Sequence, residues 1–168
     1  MGPLFLFAAV VTPSSPDLGK AEGKCRPGEH GPAFLVEVKG LKDRQGRLKL
    51  ELYPSNDSDF LADDNVLLSA GKIFRRVEIS VPSAGPVSLC IRAPAPGTYA
   101  LGLLHDRNGD RKFTISADGI GFAANPRLGL SKPKAAVASA TVGASPVRIS
   151  ITLNYRKGLL SFGPLEQQ

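Results

Sequence analysis

The chain has 168 residues, 42% of them hydrophobic and 21% charged, a balance that is ordinary for one globular domain and excludes intrinsic disorder. Its formal net charge is +6, but the basic residues stand singly or in pairs without interleaved aromatic side chains, so we do not expect a nucleic-acid partner. The 18 glycines and 14 prolines favour short strands joined by turns.

The N-terminal part of the chain has the pattern of an export signal. Residues 3–11 form an apolar run that is too short to span a bilayer and has the length of a signal-peptide h-region. No Lys or Arg precedes this run, so a buried N-terminal strand is the alternative. Residues 12–24 then have the Pro, Ser and Gly content of a linker. We therefore interpret residues 1–24 as a signal-like segment and linker, and predict a periplasmic or secreted protein without a transmembrane span.

Seven short runs further along the chain alternate apolar and polar residues, as strands do when one face packs on a core. These runs are residues 34–39, 47–53, 77–81, 87–92, 98–105, 135–142 and 147–154. A helical turn is expected over residues 60–68, with Asp59 as its N-cap. The pattern predicts an all-β fold, a single seven-stranded antiparallel β-sandwich of transthyretin-like or immunoglobulin-like type. We place this domain at residues 25–155, and a C-terminal tail that packs back onto it at residues 156–168.

The two cysteines occupy positions that suit a crosslink. Val87, Leu89 and Ile91 share the core face of one predicted strand, so alternation places Cys90 on the opposite face. An outward cysteine suits a disulfide better than it suits packing, and Cys25 lies just before the first strand. We predict a Cys25–Cys90 disulfide, which is typical of exported proteins, with two buried free thiols as the alternative.

An oxygen-rich loop directly follows a predicted buried strand. Asp106, Asn108 and Asp110 stand in the pattern D-x-N-x-D, the start of an EF-hand-like calcium loop, and Asp118 follows later in the loop. Arg111 occupies the sixth position, where calcium loops carry Gly, and the neighbouring cationic side chains repel a metal ion. We therefore favour a surface turn in which the Asp and Asn side chains bond to their own backbone, and keep calcium as the alternative cofactor.

His105, Phe122 and Asn125 complete the set of candidate ligand-loop residues. His105 ends the strand before the oxygen-rich loop, in register with core positions, which indicates a hydrogen-bonded histidine at the core edge. Phe122 and Asn125 belong to a glycine-rich excursion that we interpret as a tight loop or a long crossover pinned by Phe122. No motif such as G-x-S-x-G indicates a nucleophile, so we assign no catalytic residue.

Several of these motifs together resemble a known bacterial family, called domain of unknown function 2141. They are P-G-T-Y from Pro96, H-D-x-N from His105 and G-x-G-F-x-x-N from Gly119, with Gly46 between the first two strands. The resemblance extends over about residues 34–154. It implies an exported sandwich similar to transthyretin or carboxypeptidase-regulatory domains, and it implies no established activity.

The sequence thus predicts a non-enzymatic envelope module that binds a small ligand, a glycan or a protein partner through loops at one end of the sandwich. The alternative is a hydrolase of the transthyretin-like type that uses His105 and Asp106. Tyr155 begins a Y-R-K-G sequence that only approaches the Y-R-G-S motif of those hydrolases, and their paired histidines have no counterpart at matching places.

Overall fold

The computed structural model describes residues 12–159 and 161–165, so the apolar run predicted as a signal h-region lies outside the described residues. The described part contains ten strands, which are β1 (Ala33–Lys39), β2 (Arg47–Pro54), β3 (Arg75–Ser80), β4 (Val87–Arg92), β5 (Gly97–Asp106), β6 (Gly119–Phe122), β7 (Ser139–Val142), β8 (Val147–Thr152), β9 (Asn154–Arg156) and β10 (Phe162–Pro164). It also contains two short helices, α1 (Lys20–Gly23) and α2 (Asp64–Ser69), and a 3₁₀ turn at Ala135–Ala138. None of its helices has the length and apolar character that crossing a membrane requires.

The strands form two sheets, which confirms the predicted all-β class. One sheet has three strands in the order β4-β1-β8, and the other has seven, in the order β10-β9-β6-β5-β2-β3 with β7 also paired to β5. Strand β5 is central, because β2 runs along one of its edges while β7 and β6 share the other. The strand that precedes the oxygen-rich loop is therefore held on both sides.

Both sheets contribute side chains to one hydrophobic cluster. The alternating apolar residues of β1, such as Phe34 and Val36, meet Leu50 of β2 and Leu101 of β5 there. A second cluster, which includes Phe60, covers the other face of β5 and contains helix α2 and the 3₁₀ turn. Residues Tyr99 to Asp106 are consequently all buried, and this explains why the sequence of β5 is apolar almost throughout.

The predicted strand count and uniform direction are wrong. Strand β8 runs parallel to β1, which alternation cannot predict because its period is the same in either direction. The last predicted strand, residues 147–154, is two strands in the structure. The chain passes from the smaller sheet to the larger one at the buried Leu153, so that β8 ends before this residue and β9 begins after it. The predicted run 135–142 begins as a 3₁₀ turn and becomes strand only at Ser139.

The sequence pattern did not predict strand β6, because its glycines have low strand propensity. A Cβ atom on Gly119 would lie 2.3 Å from Cε1 of Tyr155, and one on Gly121 would lie 2.6 Å from the carbonyl oxygen of Thr152. Both glycines therefore allow neighbouring groups to approach the strand closely. The predicted excursion before Phe122 is in fact a paired strand of the larger sheet.

The predicted N-cap of the helical turn is also wrong. Helix α2 begins at Asp64, with Asp63 at the N-cap position. Asp59 instead accepts hydrogen bonds from the side chains of Asn56 and Lys72. Its carboxylate thus ties the turn before the helix to the residues just after it and does not cap the helix.

The composition of residues 12–24 predicts a linker, but the chain packs against the domain from Ser14 onward, and Lys24 pairs with Ile91 of β4 in the smaller sheet. The backbone N–H of Arg76 donates to the carbonyl oxygen of Gly19 at 3.1 Å, and its guanidinium donates to the carbonyl oxygens of Ser15 and Pro16 at 3.0 and 3.2 Å. Just after helix α1, Cys25 and Cys90 form a disulfide whose Cα atoms lie 5.9 Å apart. The packed part of the chain thus begins before Cys25.

Candidate functional site

His105 is enclosed at the end of β5, and its side chain has no exposed surface. Its Nε2 lies 2.8 Å from the carbonyl oxygen of Gln45 and its Nδ1 lies 2.6 Å from the hydroxyl of Tyr155. A carbonyl oxygen can only accept, so Nε2 carries the proton and Nδ1 accepts from the Tyr155 hydroxyl. That hydroxyl in turn accepts from the backbone N–H of Lys42 at 3.1 Å. Both ring nitrogens are engaged within the protein.

Burial keeps this histidine and tyrosine uncharged. It lowers the pKa of His105, an effect that the hydrogen bond to the Gln45 carbonyl opposes only in part, as does the charge of Asp43, whose Oδ1 lies 3.8 Å from Nε2. Burial also raises the pKa of Tyr155 to about 12. A general base must reach the proton that it abstracts, and His105 has neither a free nitrogen nor an exposed edge. The geometry therefore does not favour the hydrolase alternative.

The oxygen-rich loop after β5 is organised by its own backbone. The two carboxylate oxygens of Asp106 accept from the N–H groups of Gly109 and Arg111 at 2.9 and 2.8 Å. Those of Asp118 accept from the N–H groups of Arg107 and Thr114, both at 2.9 Å. These bonds are the local pattern by which Asp side chains stabilise turns.

Asn108 and Asp110 make the same kind of bond at the exposed tip of the loop. Asn108 Oδ1 accepts from the N–H of Asp110 at 3.2 Å, and Asp110 Oδ1 accepts from the N–H of Lys112 at 2.9 Å. Carboxylate oxygens of Asp106, Asp110 and Asp118 all lie within 4.8 Å of one another. The loop thus brings together the acidic residues named in the calcium alternative, while each of their oxygens already has a donor within the loop.

Two of the cationic side chains near this cluster are paired elsewhere. Arg107 contacts Asp43 with a shortest N–O distance of 2.6 Å, and Arg111 contacts Glu78 at 2.9 Å. Arg111 also has a φ of +67°, the left-handed conformation that glycine adopts more easily. The sixth loop position therefore has the backbone conformation of a tight turn although it carries no glycine.

Phe122 and Asn125 lie apart from the acidic cluster. Phe122 is buried in β6, where its ring meets that of Phe60 edge to face at 5.6 Å. Asn125 donates from Nδ2 to the carbonyl oxygen of Ser150 at 3.1 Å and accepts at Oδ1 from the N–H of Thr152 at 2.8 Å. Its amide thereby replaces a strand partner along β8 and fixes the start of the loop that follows.

Next to the acidic loop lies a largely apolar recess of about 250 Å³, which we call the apolar cleft. Its walls include Leu61, Phe113, Ile115, Phe122, Leu130 and Phe162. Phe113, Ile115 and Leu130 are 43%, 50% and 94% exposed, and it is their clustering around one recess, and not the exposure of any one of them, that is informative. Of this set, only Phe122 was predicted from the sequence as a candidate site residue. The others could have been found in the sequence as large apolar residues that stand in polar loop segments, outside any predicted strand.

A second recess, of about 580 Å³, adjoins the apolar cleft and is called the cationic cleft. Arg127 and Lys157 supply its charged side chains, and Asn125 contributes to its wall. The two recesses share the segment from Leu128 to Leu130 and the ring of Phe162. The two recesses are therefore adjacent, and the loop that follows β6 lines both of them.

Acidification is expected to destabilise the protein through His105. Because the folded-state pKa lies below the usual value of 6.5, the unfolded chain binds a proton that the folded chain does not. This part of the stability is complete above about pH 6.5 and is lost as the pH falls toward the folded-state pKa. We expect thermal unfolding of the His105→Gln variant to change less between about pH 7.5 and 5.5 than that of the wild type.

His30→Gln is the matched control, because His30 is the other of the two histidines. It should keep the pH dependence of the wild type. The same pH dependence in all three proteins would contradict the assignment to His105.

Calcium is expected to leave the melting temperature unchanged, since the loop oxygens already accept backbone hydrogen bonds. Thermal unfolding in about 20 mM calcium, in chelator and in the same concentration of magnesium measures this. A weak site, with a dissociation constant of about 10⁻³ M, would raise the melting temperature by a few degrees in an excess of calcium. A rise of that size that Asp110→Asn abolishes would establish the calcium alternative.

The family described as "Uncharacterized protein conserved in bacteria (DUF2141)" matches residues 36–150, from within β1 to within β8. No curated protein and no solved structure matches the chain. The match includes the end of β5, the acidic loop and strand β6, whose motifs carried the resemblance in the sequence. The chain therefore belongs to the bacterial family called domain of unknown function 2141.

Proposed function

We propose that this protein is an exported, non-enzymatic module of the cell envelope that holds a small ligand in the apolar cleft. In this proposal residues 25–155 act as one domain, and the two sheets make a sandwich of transthyretin-like or immunoglobulin-like type. The observation that carries the proposal is the position of exposed apolar side chains. Six large hydrophobic residues of the described chain are exposed, and three of them, Phe113, Ile115 and Leu130, line this one cleft.

The acidic loop supports the proposal because it holds the cleft wall in place. Phe113 lies between Lys112, whose N–H donates to Asp110, and Thr114, whose N–H donates to Asp118. These bonds fix the backbone on both sides of an exposed aromatic ring. A wall that is ordered before binding reduces the entropy that binding costs. The polar residues of the loop thus have a supporting role, and the apolar residues between them supply the contact surface.

The shape and polarity of the cleft favour a small ligand over the other partner classes that the sequence admits. Small-molecule sites are typically concave and mostly apolar, with few polar groups. The side chains of Phe113, Ile115, Leu130 and Phe162 meet that description. The enclosure of His105 supports a binding role without catalysis.

Export is supported by the disulfide, because such bonds form and persist in oxidising compartments. The contacts of the N-terminal segment limit where an export signal could be removed. The Ser14 hydroxyl donates to Asp64, and the carbonyl oxygens of Ser15 and Pro16 accept from Arg76. A mature chain that keeps these contacts must retain residues from Ser14 onward.

We therefore expect protein isolated from its native host to begin at or before Ser14, without Met1, and to contain joined Cys25 and Cys90. Intact-mass spectrometry before and after alkylation measures both features. A chain that retains Met1 and has two alkylatable thiols would contradict export.

The apolar cleft is expected to bind the neutral dye N-phenylnaphthylamine and raise its fluorescence. The double variant Ile115→Ser/Leu130→Ser should weaken dye affinity by about tenfold or more, since burying each side chain contributes about 1.5–3 kcal/mol. Both residues are exposed, so the variant should fold with an unchanged melting temperature.

Leu159→Ser is the matched control for this titration. Leu159 is 89% exposed and does not line the cleft, so its variant should bind the dye as the wild type does. Equal dye affinity in all three proteins, or no binding by the wild type, would refute the site.

A further inference from the structure

We infer that the ligand of this surface is a single-chain anionic amphiphile. Its alkyl chain lies in the apolar cleft and its carboxylate or phosphate headgroup lies in the cationic cleft, near Arg127 and Lys157. The inference rests on the proposed function, because it names the class of ligand for the same site.

The two recesses are adjacent. The Leu128–Leu130 segment and Phe162 line both, so an extended molecule that passes over these residues would contact both recesses. The rings of Phe113 and Phe162 meet edge to face at 6.0 Å, which joins the acidic loop to the β10 side of this surface. The volume of about 580 Å³ lies within the range of small-molecule sites, and that of about 250 Å³ lies slightly below it.

The charged side chains that line the two recesses are all cationic. Arg127, Lys132 and Lys157 line the two recesses, and no acidic residue of the described chain does. Arg127 and Lys157 form no ion pair within residues 12–159 and 161–165, in contrast to Arg107 and Arg111. An anionic headgroup would therefore meet these two cations without displacing a carboxylate of those residues. Such charge-assisted contacts are the stronger class of hydrogen bond.

The apolar cleft offers a ligand few polar groups. Its walls at Leu61, Ile115, Ile120 and Leu130 offer aliphatic surface, and the Lys132 ammonium at its border already donates to the carbonyl oxygens of Asp57 and Phe60. An alkyl chain needs no hydrogen-bond partner and loses water-exposed surface on entering. A free amphiphile also fits a recess better than a bilayer does, because a flat membrane surface cannot fill it.

Isothermal titration calorimetry with matched amphiphiles tests the inference. Dodecanoate and dodecyltrimethylammonium have the same alkyl chain and opposite charge, and both are used below their micelle concentrations. We expect the wild type to bind dodecanoate more tightly by about tenfold or more, the factor that one charge-assisted contact supplies. Equal affinity for the two amphiphiles, or tighter binding of the cation, would overturn the inference.

Two charge variants locate the headgroup. Arg127→Gln/Lys157→Gln should lose the preference for dodecanoate while its affinity for the neutral dye is unchanged. Arg148→Gln is the matched control, because Arg148 is an exposed cation on β8 outside both recesses, and it should keep the preference. A preference that survives in the double variant would contradict the assignment.

Vesicle sedimentation separates a free amphiphile from a membrane surface. We expect no sedimentation with phosphatidylglycerol vesicles under conditions in which dodecanoate binds. Sedimentation without dodecanoate binding would overturn the inference in favour of membrane association. If the dye binds in the cleft but dodecanoate does not, the inference fails and the proposed function stands, whereas failure of both ligands to bind refutes both.

Discussion

The constraint on which the candidate site depends is the central position of strand β5. Hydrogen bonds hold it along both edges, and the two hydrophobic clusters cover both of its faces. Its last residues, His105 and Asp106, are therefore fixed before the chain leaves the sheet. The acidic loop starts from this rigid point and bonds to its own backbone, so that Phe113 and Ile115 project from an ordered segment. The end of a central strand thus supports an exposed loop that has no regular structure of its own.

The pair of His105 and Tyr155 connects this point to the C-terminal part of the sheet. His105 lies opposite Gly119 in the register of β5 and β6, and the missing side chain of that glycine leaves room for the tyrosine ring. The H-D-x-N and G-x-G-F motifs are thus parts of one packing arrangement, in which the histidine, the glycine and the tyrosine each require the other two. A role in structure accounts for these residues without any catalytic step.

The features that sequence reasoning predicted are those set by local periodicity. Alternation identified the core faces of β1, β2 and β4, and it placed Cys90 on the face from which it forms the disulfide. The direction of β8, the change of sheet at Leu153 and the strand nature of β6 depend on partners distant in sequence, and no local pattern contains that information. The cleft was missed for the same reason, because Phe113 and Leu130 become neighbours only when two separate loops meet.

Helix α1 and the residues before it have a further consequence for the outer edge of the larger sheet. Strand β3 ends this sheet, and its outward N–H at Arg76 is bonded to Gly19. An uncovered edge strand can pair with the strand of another molecule and begin aggregation. The segment before Cys25 therefore covers this edge where it bonds to Arg76, and the Cys25–Cys90 disulfide ties the end of the segment to β4, the strand that follows β3 in the chain.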